Sequence, residues 1–196
     1  YFPVTENDRG TFIFNSKDLC MIEHIPEMME AGIDSFKIEG RMKTALYVAT
    51  VTRAYRLAID ACMRDPEEYR KNMAWYREEI GKCTNREFTT GFYFGKPGPD
   101  SQIYENSTYI TGSVYLGRVD SVDGEGRCRL EQKNKFSVGE NLELMKPDGR
   151  NIPVTVQGIW DEEGNPQDSC PHARQVIDVD LGMVPEPFDI LRRTVS

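Results

Sequence analysis

The apolar residues of this chain change period once, at an aromatic segment. Upstream they recur every three to four positions. From Ile110 onward they alternate with polar residues in short runs. "GSVYLGRVDSV", "GRCRLEQ", "ENLELMK", "IPVTVQGIWD", "RQVIDVDLG" and "FDILRRTV" read as strands. Asp123-Gly124, Asp148-Gly149 and Glu163-Gly164 supply turns between them. Six or so strands at this spacing predict a small β-barrel or sandwich over 110–196.

The upstream part reads β-α-β-α-α. Thr11 to Phe14 is a short β-rich run. "IPEMMEAG" is a helix with Pro26 in its first turn and Gly32 at its stop. Ser35 to Glu39 reads as a strand with Phe36 and Ile38 on one face and Lys37 and Glu39 on the other. A long helix is predicted from about Lys43 to Met63. Its buried stripe is Val48, Val51, Tyr55, Ala58, Ile59 and Cys62, with Arg53, Arg56 and Asp60 off it. Asp65 caps one further helix that starts at Pro66 and stops at Gly81.

Strands and helices in this order, joined by short turns, are the wiring of a parallel α/β sheet. Two such units cannot close a sheet. The expectation is therefore the tail end of a (β/α) barrel-type domain over 1–83, within a longer protein. An aromatic Gly/Pro-rich linker over 84–109 follows, then the β domain. Phe88, Phe92, Tyr93 and Phe94 in that linker are expected to be buried. In a (β/α) barrel, residues at strand C-termini face the active site. Lys37 and Glu39 would then line the barrel mouth, with Arg41 and Lys43 near a helix N-terminus that attracts anions. The spacing alone equally allows a solvated charge pair on an exposed face.

Charge and cysteines narrow the chemistry. The net charge is −8, so nucleic acid could be held only by a local patch. Arg127, Arg129, Lys133, Lys135, Arg192 and Arg193 are candidates for one in the β domain. No apolar stretch approaches the roughly 20 residues of a membrane span. Cys20, Cys62, Cys83, Cys128 and Cys170 include no CxxC pair, which points to free thiols in a reducing compartment such as the cytoplasm. Cys20 and His24, four apart, could share one helix face as a nucleophile pair. The bland reading is a buried thiol. His172 is read as a loop residue, and Trp75 and Trp160 as packing anchors.

"FNSKDLCMIEHIPEMMEAGIDSFKIEGRMKTALYVATVTRAYRLAID", with "TTGFYFGKP" after it and "FDILRR" near the end, resembles the collagenase-like peptidase family U-32. The wording of SKDLC and FKIEGRMK is most similar to the branch that makes 5-hydroxyuridine in tRNA. The resemblance implies a parent protein that hydroxylates the tRNA wobble uridine, with a [4Fe-4S] cluster on four cysteines and prephenate as small-molecule substrate. It implies that Cys20 is one cluster ligand in the parent, the other three lying upstream. One thiolate cannot hold a cluster, so none is expected in this chain alone, nor peptidase activity. The resemblance also favours Lys37, Glu39, Arg41 and Lys43 as substrate- or anion-binding residues. Catalytic residues and oligomeric state are not legible. Two alternatives stay open: a collagenase-like peptidase, for which no serine elbow, HExxH helix or cysteine-protease signature is present, and a non-enzymatic binding module.

Overall fold

A computed structural model describes residues 4–8, 10–12, 16–98, 101–103 and 109–195. Strands β1 (Thr5–Asn7) and β2 (Gly10–Phe12) form a hairpin. The expected run to Phe14 is β-structured as far as Phe12, and Ile13 and Phe14 lie outside the described residues. Strand β3 (Asp18–Leu19) leads through a 3₁₀ turn (Ile22–His24) into α1 (Ile25–Glu30). Gly32, at φ +77°, ends that turn of chain as expected.

Residues 35–39 are extended but belong to no sheet, which corrects the predicted strand. The alternation survives, with Phe36 and Ile38 half-buried and Lys37 and Glu39 exposed. A ladder needs a neighbour to take up its N–H and C=O groups. No strand lies beside this segment among the described residues.

Helix α2 (Ala45–Arg64) begins two residues later than expected because the Thr44 hydroxyl caps it, accepting the Tyr47 N–H at 3.3 Å. Asp65 caps α3 (Pro66–Lys71) as predicted, but the helix breaks at Asn72 and resumes as α4 (Met73–Gly81). Met28, Ala54, Ala58, Ala61, Tyr69, Tyr76 and Ile80 make the helical core.

The aromatic segment leaves and returns at one point. Asn85 and Ile110 exchange backbone hydrogen bonds at 3.0 and 2.7 Å. Within the excursion, β4 (Phe88–Thr89) pairs in parallel with β3. Its rings do not bury: Phe92, Tyr93 and Phe94 are 74%, 58% and 61% exposed, and Phe88 is exposed too. This overturns the expected burial, because no described element covers this face.

The remainder is β5 (Ser113–Val122), β6 (Cys128–Glu131), β7 (Asn141–Met145), β8 (Asn151–Thr155), β9 (Gly158–Trp160), β10 (Pro166–Gln167), β11 (Val176–Asp180) and β12 (Ile190–Thr194). They form one antiparallel sheet in the order β10-β9-β11-β6-β5-β12-β7-β8. Leu116, Leu130, Phe136, Leu144, Ile159, Ile177 and Leu191 meet in a single core, so the sheet curls on itself. Register shifts in β5 and β12 assist the bend. The expected barrel or sandwich is thus an open half-barrel. Its end strands do not pair: β10 has two residues, and β8 carries Pro153, which has no N–H to donate.

Buried charge joins the helices to the sheet. Arg53 of α2 is buried, contrary to its expected place on a solvated face. It pairs with Glu79 and donates to the Lys146 carbonyl at 2.7 Å and to Asn151 Oδ1 at 3.0 Å. Arg192 is fully buried, contacting Glu79 at 2.7 Å and Glu143 at 2.5 Å. Leu46, Met145 and Ile190 pack beside this network. Gly112 is required at the junction, since a Cβ there would lie 2.8 Å from the Gly81 carbonyl oxygen.

Candidate functional site

A cleft of about 540 Å³ opens between α2 and the extended segment 33–39. Helical spacing puts Tyr47, Val51 and Tyr55 on one wall. Ile33, Phe36, Lys37, Ile38 and Glu39 form the other, with Met21 and Met28 between, and Leu19 and Tyr93 also line it.

Cys20 lies just behind this cleft. Strand β4 holds its backbone, the Cys20 N–H donating to the Thr89 carbonyl at 2.9 Å. The Tyr55 hydroxyl accepts the Met21 N–H at 2.9 Å and stands 3.8 Å from Cys20 Sγ. Burial pushes both the Cys20 thiol and the Tyr55 phenol above their ordinary ranges. Cys20 is therefore held in place and half-buried, and its burial favours the thiol form. Tyr55 was legible only as a member of the buried stripe. That its hydroxyl meets residues 34 and 35 positions away was not.

Lys37, Glu39 and Lys43 line the cleft. Lys37 and Glu39 form an exposed pair at 3.7 Å. Glu39 also accepts the Arg41 N–H at 2.8 Å, which shapes the turn after Gly40. The Arg41 side chain is exposed and is not among the residues that line the cleft. Lys43 is already engaged: it donates to the Thr84 carbonyl at 3.2 Å, lies 4.0 Å from Asp18, and sits over the rings of Tyr47 and Tyr109. The cation that lines the cleft and faces solvent is thus Lys37, in its pair with Glu39.

The other candidates disperse. The 3₁₀ turn starts after Cys20, so Cys20 and His24 do not share a helix; His24 pairs with Glu27 at 3.2 Å and packs on Phe94. Arg56 is exposed and bonded to Asp60. Arg127, Arg129, Lys133 and Arg193 each pair with a carboxylate and Arg192 is in the core, so of the six expected members of a basic face in the β domain only Lys135 stays exposed with no ion pair among the described residues. Trp75 and Trp160 are half-buried beneath Arg53 and Arg127. His172 is exposed in a loop.

Among the described residues, no three His, Cys, Asp or Glu side chains gather to hold a metal. Cys62 is buried among the helices, Cys83 is buried just past α4, and Cys128 and Cys170 lie in the sheet core. A four-thiolate cluster therefore does not fit the donors of this chain alone. No described helix is long and apolar enough to cross a membrane.

Residues 3–103 match the family model "Peptidase family U32", and residues 112–192 match "Peptidase family U32 C-terminal domain". The chain belongs to peptidase family U32. It is 39% identical over 183 residues to tRNA hydroxylation protein P1 of Bacillus subtilis, covering 93% of this chain and 43% of that protein. It is also 39% identical over 167 residues to a collagenase of Porphyromonas gingivalis, covering 81% of this chain and 40% of that one. A crystal structure of the C-terminal domain of a U32 peptidase from Geobacillus thermoleovorans aligns with 28% identity and a TM-score of 0.38. That alignment covers 42% of this chain and 92% of the domain. The chain spans less than half the length of these two U32 relatives.

Proposed function

We propose that the U32 protein containing this chain hydroxylates the wobble uridine of tRNA, with prephenate as small-molecule substrate and a [4Fe-4S] cluster for which Cys20 supplies one of four thiolates. The observation that carries this reading is the similarity to a tRNA hydroxylation protein across nearly the whole chain. The cleft supports it. Lys37 lines it with an exposed ammonium, Arg41 is exposed two residues past Glu39, and Tyr55 holds the Cys20 segment in place. Glu39 shapes the turn that presents Arg41, and Lys43 braces the turn against Thr84. Five free thiols and a tRNA substrate both suit the cytoplasm.

The test is mass spectrometry of tRNA nucleosides from a strain lacking the full-length gene and from the complemented strain. Loss and restoration of 5-hydroxyuridine-derived nucleosides is expected. An unchanged nucleoside profile in a strain with no second family member would overturn the reading. Iron content of the full-length protein should fall in Cys20→Ala at unchanged yield. The collagenase relative favours a second reading, peptidase activity. Release of peptides from gelatin by the purified full-length protein would establish it.

A further inference from the structure

Three consecutive aromatic rings, Phe92, Tyr93 and Phe94, each stand more than half exposed on a turn. The turn is built to hold them there. Gly91 and Gly95 flank it at φ +58° and +121°, conformations that side chains disfavour. The Tyr93 N–H donates to the Thr90 carbonyl at 3.3 Å, and the Gly95 N–H to that of Phe92 at 3.2 Å. Phe94 is further braced by the His24 ring, 4.4 Å between centroids. Ordered and exposed apolar groups of this size mark an interaction surface.

Two observations choose the partner. First, the segment that carries the turn, 84–98, holds Arg86 and Lys96 against Glu87 alone, and Glu87 is paired with Lys17, in a chain of net charge −8. Lys96, directly after the aromatic turn, is exposed and forms no ion pair among the described residues. Second, Tyr93 is a shared wall. It lines the cleft with Lys37, Glu39 and Tyr55, and also a neighbouring groove of about 500 Å³ lined by Leu19, Phe92 and Pro97. Rings that expose a face beside the unpaired Lys96 are what single-stranded nucleic acid needs: bases stack, and a phosphate meets the ammonium. A purely apolar protein contact would not call for that lysine.

We propose that the Phe92–Phe94 turn is a stacking platform for unpaired RNA bases, which holds a tRNA loop at the mouth of the cleft. This rests on the tRNA reading above and names where the RNA would be gripped.

The experiment uses the full-length protein and an anticodon stem-loop RNA carrying 2-aminopurine in the loop. Stacking should quench the fluorophore, and Phe92→Ala should weaken binding about 5- to 150-fold, the loss typical for one stacked base. Phe92→Trp should retain binding. Lys96→Ala should lower affinity evenly and reduce the salt slope by about one. Wild-type affinity and quenching in the Phe92→Ala/Phe94→Ala double variant, with tRNA modification intact, would overturn the platform and leave the tRNA reading standing. A lowered melting temperature without loss of RNA affinity would also overturn it, since the rings would then pack against protein. Absence of tRNA modification by the wild type would remove the reading beneath both.

Discussion

Arg192, in the last strand, contacts Glu79, in the last helix, at 2.7 Å with both side chains sealed from solvent. Arg53 reaches the same carboxylate from α2, and Asn151 donates to its other oxygen at 2.9 Å from β8. Lys82 adds a contact at 3.4 Å. One buried carboxylate thus ties two helices to two strands of the sheet.

Removing one member leaves uncompensated charge in the core. Glu79→Gln should cost about 3–5 kcal/mol of stability, the range for breaking a buried pair. Urea unfolding followed by circular dichroism measures this. A midpoint within experimental error of the wild type would show that the network contributes nothing.

The same carboxylate predicts an acid transition. Burial opposes ionisation of Glu79, but Arg192, Arg53 and Asn151 outweigh it and hold the carboxyl down at about 2. A lowered folded-state value stabilises above the unfolded value, near 4.5, and that contribution is lost as pH falls toward 2. Stability should therefore decline between those pH values, and more shallowly in Glu79→Gln. Parallel acid limbs for the two proteins would contradict this.

Thiol reactivity should sort by burial. Cys20 is half-buried, whereas the other four cysteines are buried. In this chain without a cluster, burial raises the Cys20 thiol, so it should react with a disulfide reagent slowly at pH 7 and faster as pH rises past the ordinary thiol range. The other four should react only on unfolding. Equal rates for all five in the native protein would disprove the ranking.

Arg41 offers the clearest separation of function from stability. Its side chain is exposed, so Arg41→Ala should leave the melting temperature of the full-length protein nearly unchanged. A charge-assisted contact to a bound anion is worth roughly 1.5–3 kcal/mol, or about 10- to 150-fold in affinity. Nucleoside mass spectrometry of the complemented strain reads the effect. Full modification by the variant would return Arg41 to a solvated surface role.

Local signals carried far in this chain. The caps at Asp65 and Pro66, the α2 stripe from Val51 to Cys62 and the strand alternation after residue 112 each depend on neighbours within a few positions, so they could be read directly, although Val48, expected in the stripe, is exposed. The alternation at 35–39 was legible too. Whether it became a strand was not, because a ladder needs a second chain segment beside it. Of the site, spacing put Lys37 and Glu39 on one face, which the exposed pair at 3.7 Å keeps. Lys43's engagement with Thr84 and Tyr109 could not, since those partners lie 41 and 66 positions on.

The largest departures involve charged and aromatic residues, whose environment is not set by their own helix or strand. Arg53 and Arg192 read as surface cations and became core residues, because Glu79 compensates both where helices meet sheet. Phe92, Tyr93 and Phe94 read as buried and stand in solvent, because two glycines turn the backbone outward and no described element covers them. Periodicity, caps and turn residues by themselves determined the long α2, the helix starts at Pro26 and Pro66, and the run of strands after residue 112. Tertiary contacts decided which charges are buried and which rings are displayed, since desolvation depends on partners that the chain brings together only when it folds.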